Sequence, residues 1–171
     1  MKNNIFLIIL FFVFGCSSGN IDVTKISCPN VMFAAEHSKF IAFKSKEYDL
    51  DNISYKANIN NSSYQNECSI TNQVFEAELS ILFIITPNKT NEEEIKLPFY
   101  VALVDNKNNL VDIQYHLAKG NLKLSNDKKE FSETELITTV KIKTNLANID
   151  EFSNTIIIGF MLENKVIDIV N

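Results

Sequence analysis

The chain has 171 residues, a formal net charge of −5 and 46% hydrophobic residues, with no tryptophan and no arginine. That is length for one domain with a real core. An acidic, arginine-free surface excludes gripping a phosphate backbone, so no nucleic-acid partner is expected.

The first element is an apolar run. Lys2 is the only cation ahead of it, and Ile5 to Phe14 carries no charge. A bilayer-spanning helix needs about 20 apolar residues; half that length fits the hydrophobic helix of a secretory signal peptide, here residues 1–15. Its end, Val13-Phe14-Gly15-Cys16, resembles a bacterial lipobox, where a small residue precedes a cysteine that takes a thioether-linked diacylglycerol and becomes the mature N-terminus. An ordinary signal peptide cut elsewhere is the competing reading. "SSGN" after Cys16 reads as the start of a flexible tether, residues 16–27. Stable anchoring takes two or more acyl chains, which a processed lipoprotein has. The expectation is therefore attachment to the membrane through lipid on Cys16. Ser17 is not the aspartate associated with inner-membrane retention, which points to the periplasmic face of the outer membrane.

With Cys16 assigned to lipid, Cys28 and Cys68 remain as an even pair in an oxidising compartment, where a disulfide is expected. A catalytic thiol would need a base in reach, and a metal would need further ligands. The histidines are His37 and His116 alone.

Residues 28–171 read as one domain, dominated from residue 53 onward by period-2 alternation. Residues 30–46, "VMFAAEHSKFIAF" within them, fit a short helix or a broken first strand; Cys28-Pro29 just upstream favours the strand. Further along, "ISYKANI" (53–59), "VFEAELSILFII" (74–85) and "TELITTVKIK" (134–143) alternate apolar and polar residues, as strands with one wet face require. "LVDNKNNLV" predicts a hairpin between strands near 97–105 and 110–117, because Asn and Asp bond their own turns. Seven to eight strands at this spacing predict an all-β fold, an antiparallel, immunoglobulin-like β-sandwich, with a closed barrel as the alternative.

"ILFII" (81–85), "LPFYVALV" (97–104) and "TIIIGFML" (155–162) are apolar without alternation, the mark of strands covered on both faces. A two-layer sandwich covers one. The other is covered by the protein's own loops or terminal segments, or by a partner protein or the lipid surface. In "LPFYVALV", Leu97, Phe99, Val101 and Leu103 are expected to face the opposite sheet. Tyr100, Ala102 and Val104 then look outward as a partner-binding patch with Tyr100 as its anchor.

No catalytic motif or metal-ligand spacing occurs, the glycines are not clustered, and His116 falls on the polar side of its strand, where exposure is expected. No enzyme, metal or cofactor is expected. A pair of carboxylates could serve a hydrolase, but only at a separation that sequence does not reveal.

"SCPN", "DLDNISYKANI", "LPFYVALVD" and "IIIGFMLENK" together resemble a group of small, uncharacterised envelope lipoproteins of alphaproteobacteria. The matching residues are Cys28, Pro29, Asp49 to Ile59, Cys68, Leu97 to Asp105 and Ile157 to Leu162, with a departure at Asn52. The resemblance implies an envelope β-sandwich lipoprotein and carries no activity. The expected function is binding another envelope component, most simply a protein; a small-ligand or lipid carrier and an envelope hydrolase are the alternatives.

Overall fold

A computed structural model of the chain describes residues 23–45, 48–88, 94–125, 130–146 and 154–162. Among them are twelve strands and two 3₁₀ turns, and no α-helix. The signal helix expected over residues 1–15, and Cys16 after it, fall outside the described residues.

The strands form two main sheets. In the six-stranded sheet the long β6 (Val74–Pro87) is the spine. Along one side runs β11 (Thr134–Asn145), paired from Thr134↔Ile85 to Asn145↔Val74. Along the other side β4 (Ile53–Tyr64) and then β5 (Cys68–Thr71) take successive stretches. Outside these lie β3 (Lys39–Phe43), on β4, and β1 (Val23–Ile26), on β5. The four-stranded sheet has the order β2 (Asn30–Phe33), β12 (Thr155–Phe160), β7 (Glu94–Val104), β8 (Leu110–Asn121). β9 (Lys123–Leu124) and β10 (Phe131–Ser132) make a small ribbon.

The alternating stretches became strands for the expected reason. Phe75, Ala77, Leu79, Ile81, Phe83 and Ile85 of β6 are all buried, with Glu76, Glu78 and Ser80 between them on the partly exposed side. Ile95, Leu97, Phe99, Val101 and Leu103 of β7 face them from the other sheet. The Phe83 ring lies 5.3 Å from Phe99 and 5.6 Å from Phe160, and Phe40 lies 5.5 Å from Phe160. Polar groups tie the layers as well. The Tyr55 hydroxyl donates to the Lys96 carbonyl at 3.0 Å and accepts from the Lys96 N–H at 2.9 Å. The Tyr64 hydroxyl donates to the Pro29 carbonyl at 2.8 Å, and burial pushes its phenol up to about 12.

Cys28 and Cys68 are bonded, with their Cα atoms 5.2 Å apart. The bridge joins the crossover ahead of β2 to the start of β5, one sheet to the other. The predicted hairpin is present as β7 and β8, paired from Glu94↔Asn121 to Val104↔Leu110. Asp105 builds its turn: the carboxylate accepts from the N–H groups of Lys107 and Asn109 and from the Asn109 amide.

Several expectations need correction. The described residues hold twelve strands, not seven to eight, because short edge pieces escape a pattern tuned to long alternation. The pairing is not wholly antiparallel: β2 runs parallel to β12, from Thr155↔Asn30 to Ile158↔Phe33. The two are far apart in sequence, so no tight turn dictates their relative direction. Residues 30–46 hold two strands in different sheets, β2 and β3, separated by the 3₁₀ turn Ala35–His37. The tether expected through residue 27 contains β1, held by four register pairs to β5. As for a barrel, the strand orders among the described residues run as open paths.

Candidate functional site

The site is built on the outer face of the four-stranded sheet. Register fixes which residues share it. Tyr100 stands between Gly159 of β12 and Tyr115 of β8; Ala102 stands between Ile157 and Ile113. Met32 of β2 extends the second row beyond Ile157, and Leu117 lies beside Pro98. Met161 follows Phe160 with its N–H donating to the Pro98 carbonyl. None of these residues is charged.

β8 is inside-out. Its polar set, Asp112, Gln114 and His116, faces the opposite sheet, and its apolar set, Ile113, Tyr115 and Leu117, faces away. Tyr115 is 63% exposed, Leu117 48% and, across the sheet, Met32 60%. The inward polar groups are mostly satisfied. The Thr144 hydroxyl of β11 donates to the Asp112 carboxylate at 2.7 Å, and the Gln114 amide donates to the same carboxylate at 3.1 Å. Burial pushes the Asp112 carboxyl up, but those bonds and the Ile113 N–H outweigh it and hold it below its ordinary value.

His116 is the exception, and the expectation of an exposed imidazole is wrong. Its ring stacks on Phe99 at 5.3 Å, and its buried Nε2 has no hydrogen-bond partner. Burial pushes the imidazole below its ordinary 6.5. The folded protein therefore binds fewer protons than the unfolded chain as pH falls through 6.5, and folding weakens there. The thermal midpoint should drop as pH is lowered from about 6.5, and His116→Phe should flatten that limb of a pH–melting series. An identical limb in the variant would place the acid sensitivity in other groups.

Of the three residues expected to meet a partner, Ala102 and Val104 are 6% and 8% exposed, so they offer almost no surface. Tyr100 is half-buried. Its ring meets His37 edge-on, centroids 5.8 Å apart, and His37 Nδ1 sits 2.9 Å from the Phe160 carbonyl. Part of this face is thus covered by the chain's own 3₁₀ turn. The Tyr100 ring also crosses Gly159: a Cβ there would lie 2.5 Å from the phenol oxygen and 2.9 Å from His37 Cβ. Gly159→Ala should displace the ring and cost about 1–3 kcal/mol of stability, as overpacking does, measured by urea denaturation. A neutral substitution would mean that the ring moves aside freely.

The residues that reach outward are Tyr115, Leu117, Met32 and Met161. Sequence offered a signal for the first two, the alternation in "VDIQYHL"; a polar-out assumption hid it. Cys16 lies outside the described residues. His37 and His116 are on opposite faces of one sheet and do not form a pair. Among the described residues no three His, Cys, Asp or Glu side chains gather where a metal could sit.

A rim groove adjoins this face at Pro98 and Met161. It has a volume of about 510 Å³ and is lined also by Phe43, Tyr48, Leu162 and Lys44.

Comparison of the chain with known protein families, with characterised proteins and with solved structures finds no match.

Proposed function

We propose that the chain is a lipid-anchored envelope protein whose immunoglobulin-like β-sandwich binds another envelope component through the outer face of its four-stranded sheet. It belongs with the small alphaproteobacterial lipoproteins it resembles, diacylated at Cys16 and held on the periplasmic face of the outer membrane. The observation that carries the binding role is the inverted β8. A strand that turns Tyr115 and Leu117 outward while sending Asp112, Gln114 and His116 inward forgoes apolar burial in its own fold. Contiguous apolar faces of this kind mark interaction sites. In this role the protein is a binding module and not an enzyme.

Two measurements test it. Mass spectrometry of the membrane-extracted protein should find acyl groups on Cys16 as the mature N-terminus; an unmodified thiol ends the anchored reading. A photo-crosslinking residue at position 115 should capture envelope material, whereas one at Ile137, equally exposed on the far face, should not. Equal capture at both positions would remove the face from the function.

A second reading is favoured by the rim groove, whose size falls in the range of small-ligand pockets. An amphiphile would lay its apolar chain along Phe43, Tyr48 and Leu162 there. Saturable displacement of a fluorescent fatty acid, lost in Phe43→Asp, would support a carrier.

A further inference from the structure

We infer that the component bound by the outer face of the four-stranded sheet is the surface of the bilayer in which the Cys16 lipid is embedded. This rests on the anchored reading above. Three observations converge on it.

The first is reach. Cys16 precedes Val23, the first residue of β1, by seven residues, which span at most about 25 Å when extended. The anchored domain therefore stays within that distance of headgroups. β2, the edge strand that carries Met32 onto this face, follows β1 after residues 27–29 only.

The second is area. The apolar stripe crosses four strands, about 14 Å at sheet spacing, and its exposed side chains, Leu117, Tyr115 and Met32, lie in the rows from Pro98 to Ala102, about 13 Å along the strand. With side-chain margins that is at most about 300 Å². A stable protein interface needs about 800 Å² on each partner, so the face is small for a second copy of the chain or for a protein partner. A tethered domain needs far less. Its local concentration at the bilayer turns a weak contact into an occupied one.

The third is composition. Protein hot spots favour Trp, Tyr and Arg; the chain has no Trp and no Arg, so of the three only tyrosine stands on this face. The face offers Tyr, Met, Leu and Ile, with Tyr115 and Tyr100 side by side in one register row. Tyrosine suits the headgroup level, where one end of the ring is oily and the other wet. At the end of the stripe Lys119 pairs in register with Lys96, whose ammonium lies 2.7 Å from the Glu94 carboxylate; Lys119 is the cation placed there to meet an anionic headgroup.

Hydroxyl-radical footprinting of the acylated full chain in phosphatidylethanolamine–phosphatidylglycerol vesicles (3:1) tests the proposal, with Cys16→Ser protein in buffer as reference. Oxidation of Met32, Tyr115 and Met161 should slow at least fivefold on the vesicles, while Ile137, on the far face, reacts as before. Tyr115→Ser combined with Leu117→Ser should keep the protein on vesicles through its acyl chains yet return Met32 to full reactivity. Two results overturn the proposal: reactivity on the vesicles equal to that of the reference, with the face either open or covered by a second copy in both; and protection only after envelope proteins are added. Missing acyl mass at Cys16 overturns the anchored reading and this one with it. Intact acylation with an unprotected Met32 overturns this one alone.

Discussion

Cys68→Ser should lower the unfolding free energy by about 4 kcal/mol, most of the stability of a marginal domain. The bond spans a sequence separation of 40 residues, so opening it releases a large denatured ensemble. The native state loses as well. Cys68 is fully buried at the start of β5, and its partner holds the crossover that delivers β2 to the other sheet. Without the bond, the Tyr64 hydroxyl on the Pro29 carbonyl still ties that crossover to β4. The substitution also puts a hydroxyl where a buried sulfur stood. Urea denaturation of oxidised wild type against Cys68→Ser measures the loss. A difference below 1 kcal/mol would show that the sheets hold the crossover without help. The full loss would make the domain depend on an oxidising compartment, in keeping with the envelope location proposed for it.

Where a strand has one dry and one wet face, its residues say so, and β4, β6 and β11 were legible in "ISYKANI", "VFEAELSILFII" and "TELITTVKIK". The hairpin at Asp105 was legible because its turn is made by the side chain that names it. What alternation cannot convey is which side is the dry one. In "VDIQYHL" the period is plain, but its phase is set by Phe99 and Thr144, residues on other strands that receive His116 and Asp112. The same limit applies to "LPFYVALV". The larger set faces inward as expected, but the outward set is not open surface, because the 3₁₀ turn carrying His37 lies partly over it. That turn belongs to the stretch 30–46, whose two short strands serve different sheets. Four- and five-residue strands carry too few periods to be distinguished from a turn of helix. β1 was missed for a simpler cause: "VTKI" is polar and exposed, and it forms because β5 offers an open edge. The positive φ at Asn72 and Gln73, which closes the β5–β6 hairpin, was half legible, since Asn accepts that backbone and Gln seldom does.

Phe83→Ala should cost about 3–5 kcal/mol, the range for emptying a large buried aromatic site. Phe83 is fully buried on the spine strand, flanked in register by Ile59 of β4 and Leu136 of β11, and its ring touches Phe99 and Phe160 of the facing sheet. The neighbours lie on paired strands in two sheets, so the cavity cannot close without shifting a ladder. By contrast, Tyr115→Ser on the open face should change stability by less than about 0.5 kcal/mol, as exposed substitutions do. Phe83 and Phe99 share one contact, so the double alanine variant should cost less than the sum of the singles. Phe99 also carries the stacked His116 ring on β8. Phe83→Ala should therefore loosen that stack and let the imidazole titrate closer to its ordinary value, which NMR of the His116 ring would detect. A His116 titration unmoved by Phe83→Ala, alongside a full loss of stability, would show that β8 is held by its ladder to β7 alone. The inverted strand would then owe nothing to the core beneath it, and its outward apolar face would be set by pairing register.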